Sequence, residues 1–264
     1  MTALTHAVGD SATMVGRQVK HLWRSPSVTL MLVGTPLLLM MLFVYVFGDA
    51  MGTGLGGGAS GGRAAYLEYL VPGIVLMTIA STAQGTAISV ATDMTEGIVA
   101  RFRTMAIARV SVLTGHVVGS LIQTVLSVAV VVGAALLLGF RPSAGPGGWL
   151  AAAGLVLLAA FALTWLTVAL GLASGSVETA SNVPMPLMFL PFLGSGFAPT
   201  ETMPAGLRWF AEYQPFTPVI ETLRGLLAGT GAGDSVPLAL GWCGVIALGG
   251  YLWAKRLYGR DPSV

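Results

Sequence analysis

A chain of 264 residues that is 55% hydrophobic and only 9% charged, with a mean hydropathy of +0.81, has too little polar surface to cover a water-soluble globule. Its formal net charge of +2 is small, so the placement of the charges is more informative than their sum, and no nucleic-acid partner is expected. The single cysteine, Cys243, cannot form an internal disulfide and lies in an apolar run, where it reads as a small packing residue.

Six stretches contain no Asp, Glu, Lys or Arg: residues 25–48, 69–92, 110–140, 142–177, 179–200 and 235–254. A helix needs about 20 apolar residues to cross a hydrocarbon core of ~30 Å, and each stretch is long enough. The expected fold is therefore all-α: a polytopic membrane protein forming one domain over 1–264, with six transmembrane helices at 27–47, 69–91, 111–139, 148–172, 179–198 and 235–254.

In chain order, an interfacial helix comes first, at 13–24. Val15, Val19, Leu22 and Trp23 share one helical face, and Arg17, Lys20, His21 and Arg24 occupy the other. More than twenty mixed polar residues open the chain, so no cleavable signal peptide is expected. Ser25 and Pro26 supply an N-cap and a first-turn proline for the first span. Twelve Leu, Val or Phe residues between Val28 and Phe47 favour its insertion by roughly 4 to 7 kcal/mol, before Gly34 and Pro36 subtract. Residues 49–68, with the Gly-rich run 52–62, read as a flexible connector.

Six spans put both termini on one side. That side holds Arg17, Lys20, Arg24, Arg101, Arg103, Arg109, Lys255, Arg256 and Arg260, and the other holds Arg63, Arg141, Arg208 and Arg224. The excess of bases places both termini and the loop around Arg101 in the cytoplasm. Arg far outnumbers Lys, and Ala, Gly and Val abound, which points to a GC-rich bacterial genome; the expected location is the bacterial inner (plasma) membrane. Lys20 follows Val19 and Lys255 follows Ala254, so no Gly-Lys-Ser/Thr phosphate loop exists. No bound cofactor is expected.

Residues 93–109 form the most specific local feature. Asp93-Met94-Thr95-Glu96 resembles a capping box, with Asp93 as cap and Glu96 reaching back, and a short helix is expected to start there. Ile98, Phe102 and Met105 fall on one face at i, i+4, i+7, an apolar ridge beside Arg101 and Arg103. Such a ridge suits either a groove on a cytoplasmic partner or a bed of lipid headgroups.

The fifth span is irregular, because Pro184, Pro186, Pro191, Gly194 and Gly196 interrupt it. Met185, Phe189 and Phe192 fall on one face, with Met188 between them, either as an adaptable apolar wall or as helix packing. Two short helices are expected over 203–228, surface-lying or re-entrant, one starting at Met203-Pro204 and one at Thr217-Pro218, with Pro215 separating them. Each is too short to span. Glu221 and Arg224, at i, i+3, are placed to pair.

The six-span plan, Glu96-Gly97-Ile98-Val99-Ala100-Arg101-Phe102-Arg103, and the run from Ser195 through Pro199-Thr200-Glu201-Thr202-Met203-Pro204 and Pro215 to Leu223-Arg224 resemble the type-2 ATP-binding-cassette exporter permeases, most of all their daunorubicin-resistance branch. The resemblance covers nearly the whole chain. It implies that 93–109 is a coupling helix, with Glu96, Gly97, Ile98, Arg101, Phe102, Arg103 and Met105 docking on a separate ATPase subunit. It implies that Pro199, Met203, Pro204, Pro215, Glu221 and Arg224 belong to an outer gate, and that Met185, Met188, Phe189 and Phe192 line a substrate path. It further implies two permease copies or paralogues working in the lipid membrane with two ATPase copies, which hold the ATP and Mg. The expected cargo is a hydrophobic drug or lipid-like molecule, with a polysaccharide or glycolipid as the alternative.

Two other classes fit less well. An intramembrane serine protease is suggested by Gly194-Ser195-Gly196, but Leu193 stands where that motif needs glycine and no histidine follows His116. A secondary transporter needs carboxylates within the spans, where none is found.

Overall fold

The computed structural model describes residues 26–54, 62–96 and 109–259. Among the described residues every regular element is helical: α1 Pro26–Leu42, α2 Gly48–Gly54, α3 Gly62–Thr95, α4 Arg109–Leu137, α5 Pro146–Ala173, α6 Val177–Asn182, α7 Met185–Phe189, α8 Ala205–Tyr213, α9 Phe216–Leu227 and α10 Val236–Gly259. The expected helix at 13–24 and the glycines of 55–61 lie outside the described residues, as does the segment 97–108.

Among the described residues, five helices are long and apolar enough to cross a membrane: Val33–Thr53, Gly62–Thr95, Leu113–Leu137, Pro146–Ala173 and Val236–Tyr258. The first joins α1 to α2 through a π-helical turn, Phe43–Phe47. The connector expected at 49–68 is shorter than the sequence suggests, because α2 and α3 extend into it from both sides. Asp49 and Arg63 pair across it at 3.0 Å, and a Cβ at Gly52 would collide with the Gly62 backbone.

The centre of the bundle is α3. Its side chains from Tyr66 to Ala83 are almost all buried, surrounded by α1, α4, α5 and α9. By contrast α4 and α10 each turn an apolar stripe outward, including Val125, Leu126 and Val130 on the one and Val245, Leu248 and Leu252 on the other. In a soluble protein such stripes would be a liability; against acyl chains they are the favourable surface.

The expected single fifth helix over 179–198 is not formed. The chain there divides into α6, α7 and a run of turns. Three prolines lack the donors a continuous ladder requires, and Gly194 and Gly196 lower the helical preference further. This interrupted segment nevertheless lies along α3. Gln84 Nε2 donates to Ser181 O at 2.6 Å, Gly196 packs on Gly73 where a Cβ would collide, and Tyr66 Oη donates to Phe197 O at 3.1 Å.

A second correction concerns Asp93. It does not cap a new helix: α3 continues through Thr95, and Glu96 N donates back to Thr92 O at 2.9 Å. Asp93 lies inside α3, 8% exposed, and its Oδ2 meets His116 Nε2 of α4 at 3.1 Å.

Candidate functional site

The two ends of the bundle carry different apparatus. At one end, here the loop end, α3 finishes and α4 begins, with 97–108 between them. At the opposite end α8 and α9 close the bundle. Both were marked out by sequence, and the structure separates them by most of the length of α3.

The far-end apparatus is held by Arg224. Its side chain is 18% exposed, and its guanidinium reaches three elements. Nη1 donates to Glu221 Oε1 at 2.5 Å within α9, Nη2 donates to Tyr69 O at 3.1 Å on α3, and the same nitrogen donates to Ser195 O at 2.7 Å in the interrupted segment. The guanidinium carbon also lies 3.7 Å from the centroid of the Tyr69 ring. A planar fork with five donors satisfies this set, which a lysine ammonium could not match. The expected Glu221–Arg224 pair is present, but it is one contact of several.

A second knot joins the interrupted segment to the turn between α8 and α9. Gln214 Nε2 donates to Leu190 O at 3.1 Å, its Oε1 accepts from Phe216 N, and Thr217 Oγ1 accepts from Ser195 N. Gly194 is required here, since a Cβ would run into Gln214 and Thr217. Ser195 Oγ is buried with no hydrogen-bond partner among the described residues. It is not a nucleophile paired with His116. Ser195 is tied through Arg224 to residue 69 of α3 and His116 to residue 93, about 36 Å apart along the helix.

The two short helices differ. Trp209 is 68% exposed and Tyr213 54%, and only Ala211 of α8 is buried. α9 instead buries Phe216, Val219, Ile220 and Leu223, packing on α3, α5 and α10. Its first turn, with Pro215, lines a cavity together with Leu76, Trp242 and Cys243, while its last residue Leu227 accepts from Ala144 N at 3.1 Å beyond the end of α4. Trp242 Nε1 donates to Tyr213 O at 3.0 Å. On the exposed helix α8, Arg208 Nε donates to Glu212 Oε1 at 2.6 Å, which raises the pKa of Arg208 above its ordinary value. Pro199 and Met203 bracket the turn Thr200–Thr202, and Pro204 precedes α8.

The profile of the ABC-2 type transporter family matches residues 11–228, and so covers both ends of the apparatus. The chain belongs to the ABC-2 type transporter family. It is also similar to the daunorubicin resistance ABC transporter permease protein DrrB1 of Streptomyces coeruleorubidus, with 28% identity over 237 residues, covering 87% of this chain and 81% of that protein.

The four residues of the expected path in this ABC-2 chain are not brought together. Met185 and Phe189 on α7 are exposed, 47% and 52%, and Met188 rests partly against the core. Phe192 turns the other way: it stacks on Phe197 with centroids 4.0 Å apart, and Phe43 of the π turn lies 4.9 Å from Phe197. Phe192 lies just beyond α7, where Phe192 N and Leu193 N still donate to Phe189 O at 3.0 and 3.2 Å, and it differs from Met185 and Phe189 by its contacts with the Phe43 and Phe197 rings. Of the residues expected to meet an ATPase, Gly97, Ile98, Arg101, Phe102, Arg103 and Met105 lie outside the described residues, and Glu96 is exposed beyond the end of α3.

Sequence reasoning missed the hydrogen-bonded seam between α3 and α4. His116 Nε2 meets Asp93 Oδ2 at 3.1 Å, Thr86 Oγ1 donates to Ser120 Oγ at 2.7 Å, and Thr82 Oγ1 meets Thr124 Oγ1 at 2.8 Å. Ser120 also reaches Thr164 of α5 at 3.2 Å. The signal was there: polar residues recur at 82, 86 and 93 and at 116, 120 and 124, one face of each helix. No group of His, Cys, Asp and Glu among the described residues could hold a metal ion.

Proposed function

We propose that this chain is the membrane-spanning subunit of an ATP-driven drug exporter, forming the substrate path while a separate ATPase subunit supplies the energy. The observation that carries the reading is the family match across 11–228, reinforced by the similarity to a daunorubicin resistance permease. Two copies of the permease, or one with a paralogue, work with two ATPase subunits that bind ATP and Mg. The cargo is a hydrophobic or lipid-like molecule, in keeping with uncharged spans and the exposed apolar residues Met185 and Phe189.

The interrupted segment is the fifth of six crossings. Its contacts climb α3 from Gln84 to Tyr66, eighteen residues or about 27 Å, close to the thickness of a hydrocarbon core. Both termini are then cytoplasmic, 97–108 is the docking segment, and α8 and α9 are a re-entrant pair at the exit. α9 buries its freed backbone ends against protein, which is the condition for irregular backbone at membrane depth. ATP binding draws the docking segments together and shifts the bundle between two packed states, releasing cargo past Arg224 and its partners.

Reconstitution with the ATPase subunit in liposomes tests the reading. Phe102→Ala, on the apolar ridge, is expected to leave insertion intact yet weaken co-purification with the ATPase at least tenfold and abolish ATP-dependent export, because buried apolar anchors dominate interfaces. Arg101→Ala and Arg103→Ala are expected to do less. Wild-type export with a retained partner in Phe102→Ala would dismiss the docking segment.

A further inference from the structure

Asp93 and His116 stand where the two helices that carry residues 97–108 are about to part. Asp93 lies two residues before the end of α3, and His116 seven residues into α4, two helical turns from its start. Their side chains are 12% and 4% exposed and meet at 3.1 Å. Val90, one turn before Asp93, and Leu113 and Val117, on either side of His116, belong with Trp165 to one buried apolar cluster at the loop end. Nδ1 of His116 has no hydrogen-bond partner among the described residues, so its packing is directed by the single contact from Nε2 to Asp93.

This pair is the last member of the seam described above. The pairs 93–116, 86–120 and 82–124 keep a nearly constant antiparallel register between α3 and α4 for about 16 Å of helix. The Thr82 and Thr86 hydroxyls also bond carbonyls of their own helix, Ile79 O at 2.9 Å and Thr82 O at 3.2 Å, so their cross-helix bonds favour this register, while the Asp93–His116 contact is the one whose loss leaves a buried ring without a partner among the described residues. A buried, partnered pair of this kind is an expensive way to gain stability, and its best-attested use is fixing register.

We propose that Asp93 and His116 are positioning residues that clamp the loop-end halves of α3 and α4 into one body, so that a displacement of residues 97–108 is transmitted to both helices and on through Ser120 and Thr164 to α5. The inference rests on the docking role proposed for 97–108. Without the clamp, the segment still binds its partner but its movement is dissipated in parting the two helices. Coupling is lost before association is.

The test is export per ATP hydrolysed, measured in liposomes with the complete permease and ATPase complex. Asp93→Asn and His116→Gln are expected to retain the ATPase subunit on purification and to hydrolyse ATP, with export per ATP reduced at least tenfold. The exchange Asp93→His with His116→Asp restores the pair in reverse and is expected to recover at least half the wild-type ratio. A purely structural role would lower the yield of folded protein and leave the ratio unchanged. The pair Asp93→Cys with His116→Cys, in a Cys243→Ala background, gives a second measurement. Bridging it with a short bifunctional thiol reagent is expected to raise export per ATP, and reduction to reverse the gain, because the two helices move together. A bridge that blocks export would show that the helices separate in the cycle and would overturn the clamp; wild-type ratios in both single variants would do the same. If the cysteines do not react, the residue exchange decides alone. Phe102→Ala run in parallel keeps the two readings distinct: loss of the ATPase subunit there, together with unchanged ratios in the clamp variants, upholds the docking segment and rejects the clamp.

Discussion

Arg224 shows how one side chain fastens a flexible end of a bundle. Its guanidinium joins α9 to Tyr69 on α3 and Ser195 in the interrupted segment, while Glu221 balances its charge. Hydrogen bonds from a charged donor contribute about 1.5 to 3 kcal/mol net, more than a neutral pair. Arg224→Ala therefore removes two contacts between elements as well as one within α9, and a melting-point decrease of roughly 4 to 8 °C is expected, read by fluorescence-detected gel filtration of the heated, detergent-solubilised protein. Arg224→Lys is expected to recover less than half of that loss, since an ammonium cannot reach both carbonyls and stack on the Tyr69 ring. Glu221→Ala is the milder change, and adding it to Arg224→Ala recovers little. A double-mutant cycle in which the two effects cancel would instead assign the whole role to the Glu221 pair.

The interrupted segment is positioned by shape at the level of elements. Gly73 of α3 and Gly196 touch backbone to backbone, so a methyl group at Gly73 has nowhere to go. Gly154, inside α5, has open space around its Cα and faces outward. The two glycines make a matched comparison. Gly73→Ala is expected to displace the segment and cut the yield of folded protein severalfold, since overpacking costs about 1 to 3 kcal/mol. Gly154→Ala is expected to be neutral or to stabilise the solubilised subunit by about 0.5 to 1 kcal/mol through helix propensity. Equal melting points for the two variants would show that the contact with Gly196 is not needed.

For the whole molecule, the proposed orientation makes a prediction about which loops face the cytoplasm. Cysteine labelling tests it. Because Cys243 is 3% exposed and packed among apolar side chains, alanine is the suitable background substitution. In intact cells a cysteine at Gly58 is expected to react with an impermeant thiol reagent, and one at Ala100 only after the membrane is opened. The reverse pattern would invert the proposed orientation and place 97–108 out of reach of any cytoplasmic ATPase. Burial is also arranged for a membrane, with α3 wrapped by protein and the outer faces of α4 and α10 apolar.

The sequence by itself determined the class of this protein, because hydropathy needs no partner to be read: several uncharged apolar runs of spanning length mark a polytopic membrane protein. Five of them form as helices whose ends lie within several residues of those expected. The short helices after residue 203 were legible for a local reason, prolines that can begin a helix but not continue one. What lay beyond local rules was decided by tertiary structure. Whether α8 or α9 is the buried helix depends on what lies opposite. Phe192 is partly covered where Met185 and Phe189 are exposed, because the rings of Phe43 and Phe197 lie beside it. Asp93 reads locally as a helix cap; it is held inside α3 by His116, twenty-three positions away, because a buried carboxylate is bound by whichever donor the packed fold brings within reach.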